Sequence, residues 1–500
     1  MDARRPDAPA LGLPRQRVKT RYTGRVIHII GGGLAGCEAA WQAARLGQEV
    51  TLHEMRGVRA TLVHKTDHLA ELVCSNSFRG DKLDNAVGLI KEEMRRLDSV
   101  VMAAAEVARV PAGAALAVDR EVFSREVTAR LATEPRITVC REEVTQVPAP
   151  SAPGDAVIIA TGPLTSDALS QSIQAFVGEA HLSFYDAISP IVLAESIDMG
   201  TVFRQSRWGR SLRRDTAGAG GARTDGVPVA VGAPLEAAEP VGAGPACGVD
   251  DGEGDYLNCP FTKAEYDAFY DALVGAESAT IHDFDAATFF EGCLPIEVMA
   301  HRGRDTLRFG PMKPVGLEDP RTTRRPYAVV QLRQDTLAGD HFSLVGFQTQ
   351  LKWSEQARVL RLIPGLERAE FVRFGMVHRN TFINGPNVLR PTWQTKVRDD
   401  LFFAGQISGV EGYVESAASG LMAGRNAARV VLGLEPRTPP RTTAIGALAY
   451  YASHADPQHY QPSNITYGIM PPLDQPPRDK ALRKQALADR ALAALAAWTR

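Results

Sequence analysis

The sequence is poor in the features that mark secreted, membrane-spanning or metal-stapled chains. Six cysteines are spread through 500 residues, at Cys37, Cys74, Cys140, Cys247, Cys259 and Cys293, with no CxxC pair and no zinc-ligand spacing. A reduced, cytoplasmic protein with one or two special thiols therefore fits better than a disulfide framework. No run of about 18 apolar residues occurs, so no transmembrane helix is expected. The formal net charge of −2 leaves no bulk basic field, and a nucleic-acid partner has to be held by a local patch. Residues 1–24 lack the apolar core of a secretory signal, and Asp2, Asp7 and three prolines weaken a transit-peptide reading. They read as a mildly basic, disordered tail.

What is present is ordinary globular material. Hydrophobic residues make up 44% and charged residues 23%, so a chain of this length can bury a large core over about two or three domains. One stretch departs from this. The 40 residues from Asp215 to Gly254 hold 10 Gly and 9 Ala, cannot build a core, and read as a flexible surface insertion with an incidental thiol at Cys247.

The first ordered element is the apolar run Val26–Ile30, which ends in three glycines and reads as a buried parallel strand. Ala35 to Leu46 is helical in pattern, and Glu49 to His53 is a second strand ending at Glu54, which completes a βαβ unit. A single helix is expected from Asn85 to Ala105, from Val87, Ile90, Met94, Leu97 and Val101. Ala156–Ala160 and Leu401–Gly405 read as further strands, Ala417–Leu432 as a small-residue helix, and Asp479–Trp498 as an amphipathic helix.

Gly31, Gly33 and Gly36 form a GxGxxG pattern between the first strand and the first helix. The first glycine permits the tight turn, the second lets a pyrophosphate approach the backbone, and the third lets helix and strand pack closely. Gly32, Leu34 and Ala35 complete the loop, whose amides face an anion at the helix N-terminus. Glu54 is placed to accept hydrogen bonds from an adenosine ribose. The Ala156–Ala160 strand with Thr161-Gly162, and the late strand ending at Gly405, are elements typical of flavoproteins, and they favour FAD over NAD as the resident dinucleotide.

Several longer runs are more specific. Glu71–Ser77 (ELVCSNS), Phe289–Glu297 (FFEGCLPIE), Phe309–Leu317 (FGPMKPVGL), Tyr327–Arg333 (YAVVQLR), His378–Asn384 (HRNTFIN) and Gly409–Ser416 (GVEGYVES) occur in that order. In these the chain resembles the folate-dependent tRNA (uracil-5-)-methyltransferases, the TrmFO family, which is related to the GidA flavoproteins. The resemblance covers roughly Val26 to Tyr467. The tail and the Gly/Ala-rich insertion fall outside its pattern, and Lys65 and Leu69 stand where His and Phe are expected.

The resemblance implies methylation of the T-loop uridine of tRNA at C5. The one-carbon donor is 5,10-methylenetetrahydrofolate, reduced FAD is carrier and reductant, and NAD(P)H regenerates the flavin. Cys293 matches the thiol that adds to uracil C6 and so activates C5. Cys74 matches a second thiol beside the flavin, and Ser75-Asn76-Ser77 after it is expected to start a helix whose N-terminus would lower the thiol's pKa. Cys259 matches too, but reads as structural. Gly405, Glu411 and Tyr413 are expected beside the flavin, with Glu415 opening the following helix. His378 and Asn380 are candidates for holding the folate pterin. For tRNA the basic candidates are Arg207, Arg210, Arg213, Arg214, Arg302, Arg304, Arg321, Arg324 and Arg325, through salt-dependent phosphate contacts.

The expected architecture is α/β. A Rossmann-like, doubly wound FAD-binding domain of the glutathione-reductase type comprises residues 25–110, 145–190 and 320–470. A smaller inserted α/β domain carrying Cys293 comprises 111–144 and 191–319, with 205–255 as the flexible insertion and 471–500 as a C-terminal helix. The expected partners are tRNA, folate and a nicotinamide co-substrate, without membrane, DNA or metal. Two rival functions share parts of this pattern: a tRNA wobble-uridine modifying flavoprotein, and an FAD-dependent small-molecule oxidoreductase. A non-catalytic FAD or RNA binder is a third reading, disfavoured by the two intact thiols.

Overall fold

The computed structural model describes residues 25–59, 61, 63–149, 152, 154–178, 182–187, 189–209, 254–278, 294–375 and 377–500, with backbone alone for 182–187 and 377–381. The tail, most of the Gly/Ala-rich insertion and Cys293 lie outside these residues. One hydrophobic core is built on a five-stranded parallel sheet in the order Leu401–Phe403, Ala156–Ile159, Val26–Ile30, Glu49–Glu54, Ile137–Arg141. The three inner strands bury Ile27, Ile29, Val50, Leu52 and Val157–Ile159 almost completely, as expected of parallel strands covered on both faces. A second core rests on a six-stranded antiparallel sheet in the order Phe203–Arg204, Tyr256–Phe261, Ala328–Gln334, His341–Leu344, Ile191–Leu193, Phe371–Arg373. Helices Lys263–Val274, Ile296–His301 and Trp353–Leu360 contribute to this second core.

Two stretches lie in different units from those expected. Helix Arg120–Thr133 and strand Ile137–Arg141 belong to the first core, through Phe123, Val127 and Leu131 and through parallel pairing with Val50–Glu54. Strands Ala328–Gln334, His341–Leu344 and Phe371–Arg373 belong to the antiparallel sheet. The cause is local ambiguity. Ile137–Arg141 is an edge strand without a fully buried residue, whereas Ala328–Gln334 is a continuous buried run that reads equally well in either sheet.

The helix expected from Asn85 to Ala105 is two helices, Ala86–Arg96 and Val100–Val107. Asp98 between them adopts a left-handed backbone with φ 60°, and Ser99 caps the second helix by accepting from the Met102 amide. The break brings Ser99 Oγ and the Val101 amide onto the fully buried carboxylate of Glu38 (2.7 and 3.1 Å). Glu93, equally buried, accepts from the Ala444 and Ile445 amides and caps helix Ala444–His454. The C-terminal helix runs from Lys480 to Trp498, with Asp479 accepting from the Leu482 amide.

Helix Leu34–Arg45 lies directly against helix Tyr413–Val431. Gly420 and Gly424 face Ala35 and Ala39, where an added Cβ would come within 2.1 and 2.3 Å of the Ala35 and Ala39 carbonyl oxygens. Small residues at i and i+4 on both helices are what permits this approach.

Burial pushes the carboxyls of Glu38 and Glu93 up to about 7, against the hydrogen bonds that favour their charged forms. The folded chain therefore keeps protons that the unfolded chain releases near the ordinary carboxylate value of about 4.3. This contribution to stability is full below the unfolded value and is lost as pH rises through 7. Thermal melting of the wild type is expected to fall between about pH 5 and about pH 8 by more than that of Glu38→Gln. Parallel curves for the two proteins would contradict the assignment.

Candidate functional site

A cleft of about 420 Å³ opens at the carboxyl ends of the parallel strands and is closed on its far side by the antiparallel unit. This is where a doubly wound sheet binds its ligand. Its lining includes Gly31, Gly32, Gly33, Leu34, Ala35, Glu54, Cys74, Gly405, Glu411 and Tyr413, so the candidates read from separate motifs come together in one place.

The glycine loop is built as its pattern requires. Gly31 has φ +105°, and a Cβ there would sit 2.6 Å from the Ala160 carbonyl oxygen. A Cβ on Gly33 would meet nothing within 4 Å, which leaves the backbone open to the cleft. Gly36 is not part of the lining; a Cβ there would lie 1.8 Å from the Gly31 carbonyl oxygen, so its role is close packing of helix on strand. Helix Leu34–Arg45 has no side-chain cap and no acidic residue in its first turn, and the amide of Cys37 makes the bond back to Gly33 (2.9 Å). The amides before it are left for a ligand, and the helix dipole favours an anion there.

Glu54 is buried at the end of its strand, as expected, but it is already engaged. Its carboxylate accepts from the Gly32 amide (2.7 Å), the Arg56 amide (2.8 Å) and Arg56 Nε and Nη2 (both 3.0 Å). Burial works against ionisation, but the hydrogen bonds and charge of Arg56 outweigh it and hold Glu54 below the usual carboxylate range. Arg56 also donates to the His68 and Gly32 carbonyls, tying the Glu54 strand end to the glycine loop.

At the other end of the cleft the Tyr413 hydroxyl accepts from the amides of Cys74 (2.9 Å) and Ser75 (3.1 Å). Tyr413 is the first residue of its helix, so this bond fixes the Cys74 segment to the helix N-terminus. Gln406 donates to Glu411 (2.8 Å), and Asn464 holds the Glu411 carbonyl. Glu415 is fully buried, pairs with Arg79 and accepts from the Ile465 amide (2.9 Å).

No helix follows Cys74. Ser77–Gly80 is a strand, because Phe78 and Asn76 turn into the core and Asn76 donates to Val118 and Gln334 carbonyls. Positive charge reaches this segment from three arginines instead. Arg373 donates to the Val73 and Cys74 carbonyls, Arg333 to Ser75 Oγ and Asn76 Oδ1, and Arg120 to the Leu72 carbonyl and Asp335. Burial, with Arg120 beside it, pushes Arg373 down to about 10. Arg56, Arg120 and Arg373 were missed from sequence; Arg333 stood inside the YAVVQLR run with nothing to mark its direction.

Cys293 lies outside the described residues. The residues flanking it are fixed: Ser278 pairs with Leu351, the Ile296 amide donates to the Gln348 carbonyl (2.7 Å), and Glu297 accepts from Thr349 and Gln350. Gln348 itself lines the cleft. His378 and Asn380 stand in strand Val377–Phe382, opposite Asp186 and Phe184, and their side chains lie outside what is described. Cys259 is buried in the second core, where burial pushes its thiol up, in keeping with a structural role. Of the basic candidates, Arg207, Arg304 and Arg321 are engaged by Gln331, by Asp267 and Asp271, and by Asp319. Arg302, Arg324 and Arg325 are exposed, and Arg210, Arg213, Arg214 and Cys247 lie outside the described residues. Among the described residues no helix is long and apolar enough to cross a membrane, and no cluster of metal-ligating side chains occurs.

A family profile described as "Glucose inhibited division protein A" matches residues 26–217 and 245–435. The chain is 57% identical over 452 residues to the methylenetetrahydrofolate–tRNA-(uracil-5-)-methyltransferase TrmFO of Pelotomaculum thermopropionicum, covering 90% of this chain and 93% of that one. It is 52% identical over 449 residues to the protein of that name from Enterococcus faecalis, with 90% and 93% covered. Among solved structures, Aquifex aeolicus GidA superposes with a TM-score of 0.62 at 17% identity, covering 95% of this chain and 73% of that one, a likeness of fold.

Gly36→Ala is expected to cost roughly 1–3 kcal/mol by overpacking against backbone that cannot retreat. It should lower the melting temperature together with the amount of flavin that co-purifies, read from the visible absorbance. Unchanged values of both would show that the close approach is dispensable.

Proposed function

Since this chain belongs to the GidA family and, within it, to the folate-dependent tRNA (uracil-5-)-methyltransferases, we propose that it methylates C5 of the T-loop uridine of tRNA from 5,10-methylenetetrahydrofolate. FAD is the resident cofactor in this reading, and NAD(P)H is the electron source. The observation that carries it is one cleft with a glycine-loop helix end at one side and, at the other, Cys74, whose backbone amide is tied to a second helix end.

The residues present fit FAD. The open face of Gly33 and the uncapped amides at the start of helix Leu34–Arg45 suit a diphosphate. Glu54 suits a ribose, with the ribose hydroxyl replacing one of the four hydrogen bonds its carboxylate already accepts. Gly405, Glu411 and Tyr413 are the residues to hold the ring system. When bound and reduced, FAD supplies the electron pair needed to turn a methylene unit into a methyl group. The backbone amides at Gly412 and Tyr413 start a helix, and their dipole end favours negative charge nearby.

Uracil C5 is a poor carbon nucleophile until a group adds at C6. Cys293 is the thiol we assign to that addition, since a thiolate is soft, reversible in addition and partly present near neutral pH. Cys74 lines the cleft and is assigned to proton transfer beside the flavin, in the positive surroundings of Arg120, Arg333 and Arg373. His378 and Asn380 are assigned to the pterin. Identities of 57% and 52% to two TrmFO relatives, over 93% of each, favour the T-loop enzyme over a wobble-uridine one.

The test is methylation of unmodified tRNA in the presence of FAD and NADPH, with either labelled methylenetetrahydrofolate or labelled S-adenosylmethionine, read by nucleoside mass spectrometry. Label in 5-methyluridine from folate alone is expected. A yellow, reducible protein that transfers no label from folate would leave an oxidoreductase. Cys293→Ala is expected to abolish transfer with flavin content unchanged, and Cys74→Ala to slow it by about 10²–10⁴-fold. Full activity in either variant would remove that thiol from the assignment.

A further inference from the structure

The second unit carries a run of stacked aromatic rings, partly buried and exposed at one end, that no step above uses. Trp353, the first residue of helix Trp353–Leu360, is 62% exposed. Its ring lies 6.1 Å from that of Phe374 at an interplanar angle of 20°, and Phe374 lies 5.0 Å from Phe371 at 24°. The Arg361 guanidinium stands 5.9 Å from the Phe371 ring. Scattered exposed apolar residues need no explanation, but three near-parallel rings ending in an exposed indole present a flat π face to solvent.

The run is linked to the cleft lining through Arg373. Arg373, between Phe371 and Phe374 in sequence, donates to the Val73 and Cys74 carbonyls. The residues just before Trp353 anchor both described flanks of Cys293, Leu351 pairing with Ser278 and the Gln348 carbonyl accepting from Ile296. The charge around the rings is mixed, with Glu367 and Glu370 exposed on the same segment. Lys352 and Arg358 are taken up by Glu277 and Glu355. Arg361, which donates to the Ala369 carbonyl, and Arg368, which lies in the field of Asp198, are both exposed and make no ion pair within 4 Å among the described residues.

We propose that Trp353, Phe374 and Phe371 form a stacking platform for an unpaired base of the RNA substrate, with Arg361 and Arg368 taking the flanking phosphates. This rests on the reading that the substrate is tRNA. Every base has a π face, so a flat aromatic end accepts any unstacked nucleotide, while the arginines supply the salt-dependent part of the affinity. A uridine taken out of a folded loop for chemistry leaves its neighbours without stacking partners, and a platform joined to the cleft lining through Arg373 gives one of them a new partner. Aromatic and arginine residues also anchor protein interfaces. The hydrogen bonds from Arg373 to the cleft-lining Val73 and Cys74, with Arg361 and Arg368 exposed beside the rings, favour RNA here.

The experiment measures binding of unmodified tRNA to the FAD-loaded enzyme for wild type, Trp353→Ala, Trp353→Phe and Arg368→Gln, together with methylation kinetics and melting temperature. Trp353→Ala is expected to weaken binding about 5- to 100-fold, with KM raised more than kcat falls and melting unchanged. Trp353→Phe should retain most of the affinity. Arg368→Gln should reduce the slope of log affinity against log salt by about 1. Wild-type methylation with tRNA affinity unaltered in Trp353→Ala would overturn the platform and leave the enzyme assignment standing. Unaltered affinity with a changed oligomeric state in size exclusion would overturn it in favour of a protein contact. A wild type that neither binds nor methylates tRNA would overturn the tRNA reading, and the platform with it.

Discussion

Helices Leu34–Arg45 and Tyr413–Val431 come from opposite ends of the chain and touch almost backbone to backbone, through Ala35, Ala39, Gly420 and Gly424. Their starts both open on the same cleft, so this contact sets the distance between a site for a diphosphate and a site for a ring system. A larger residue at Ala39, Gly420 or Gly424 would spread the two helix ends apart, without altering a single group that lines the cleft. The glycine loop, the Glu54–Arg56 clasp and the Tyr413–Cys74 hydrogen bond all take their geometry from this pair.

Charge at the ring end of the cleft follows a different logic. Arg120, Arg333 and Arg373 converge on residues 72–76 from three separate segments, and Asp335 is the carboxylate they share most closely. Buried cations in such excess are costly unless something negative completes the site. Much of their hydrogen bonding goes to backbone carbonyls and neutral side chains, so they also hold the Cys74 segment rigid. The same residues thus fix a loop and set the potential felt by its thiol.

The nucleotide end was legible in the sequence because its demands are local. A tight turn, a backbone open to a ligand and a close helix–strand contact each call for glycine at one position, and a strand end places Glu54. The ring end was legible only in part. Cys74, Glu411 and Tyr413 fall within recognisable runs, but Arg56, Arg120 and Arg373 act through contacts up to 300 residues distant in sequence, and no local pattern reports them. The helix expected across Asp98 failed because periodicity continues through a single left-handed residue. The division between the two units differed from expectation at strands whose burial suits either sheet. Cys293, and the side chains of His378 and Asn380, lie outside the described residues, so their assignments rest on the resemblance.

Strands Phe203–Arg204 and Tyr256–Phe261 are antiparallel neighbours, and the Asp255 amide donates to Ser206 Oγ across the start of the pair. Everything between Gly209 and Gly254 is therefore inserted between two points that the fold already holds side by side. Closing a chain between fixed neighbours costs only about 0.6 kcal/mol more for each doubling of its length. The paired strands thus form a doorway whose width is set by the sheet alone, and the geometry of the cleft beyond it asks nothing of the number of residues that pass between the two posts.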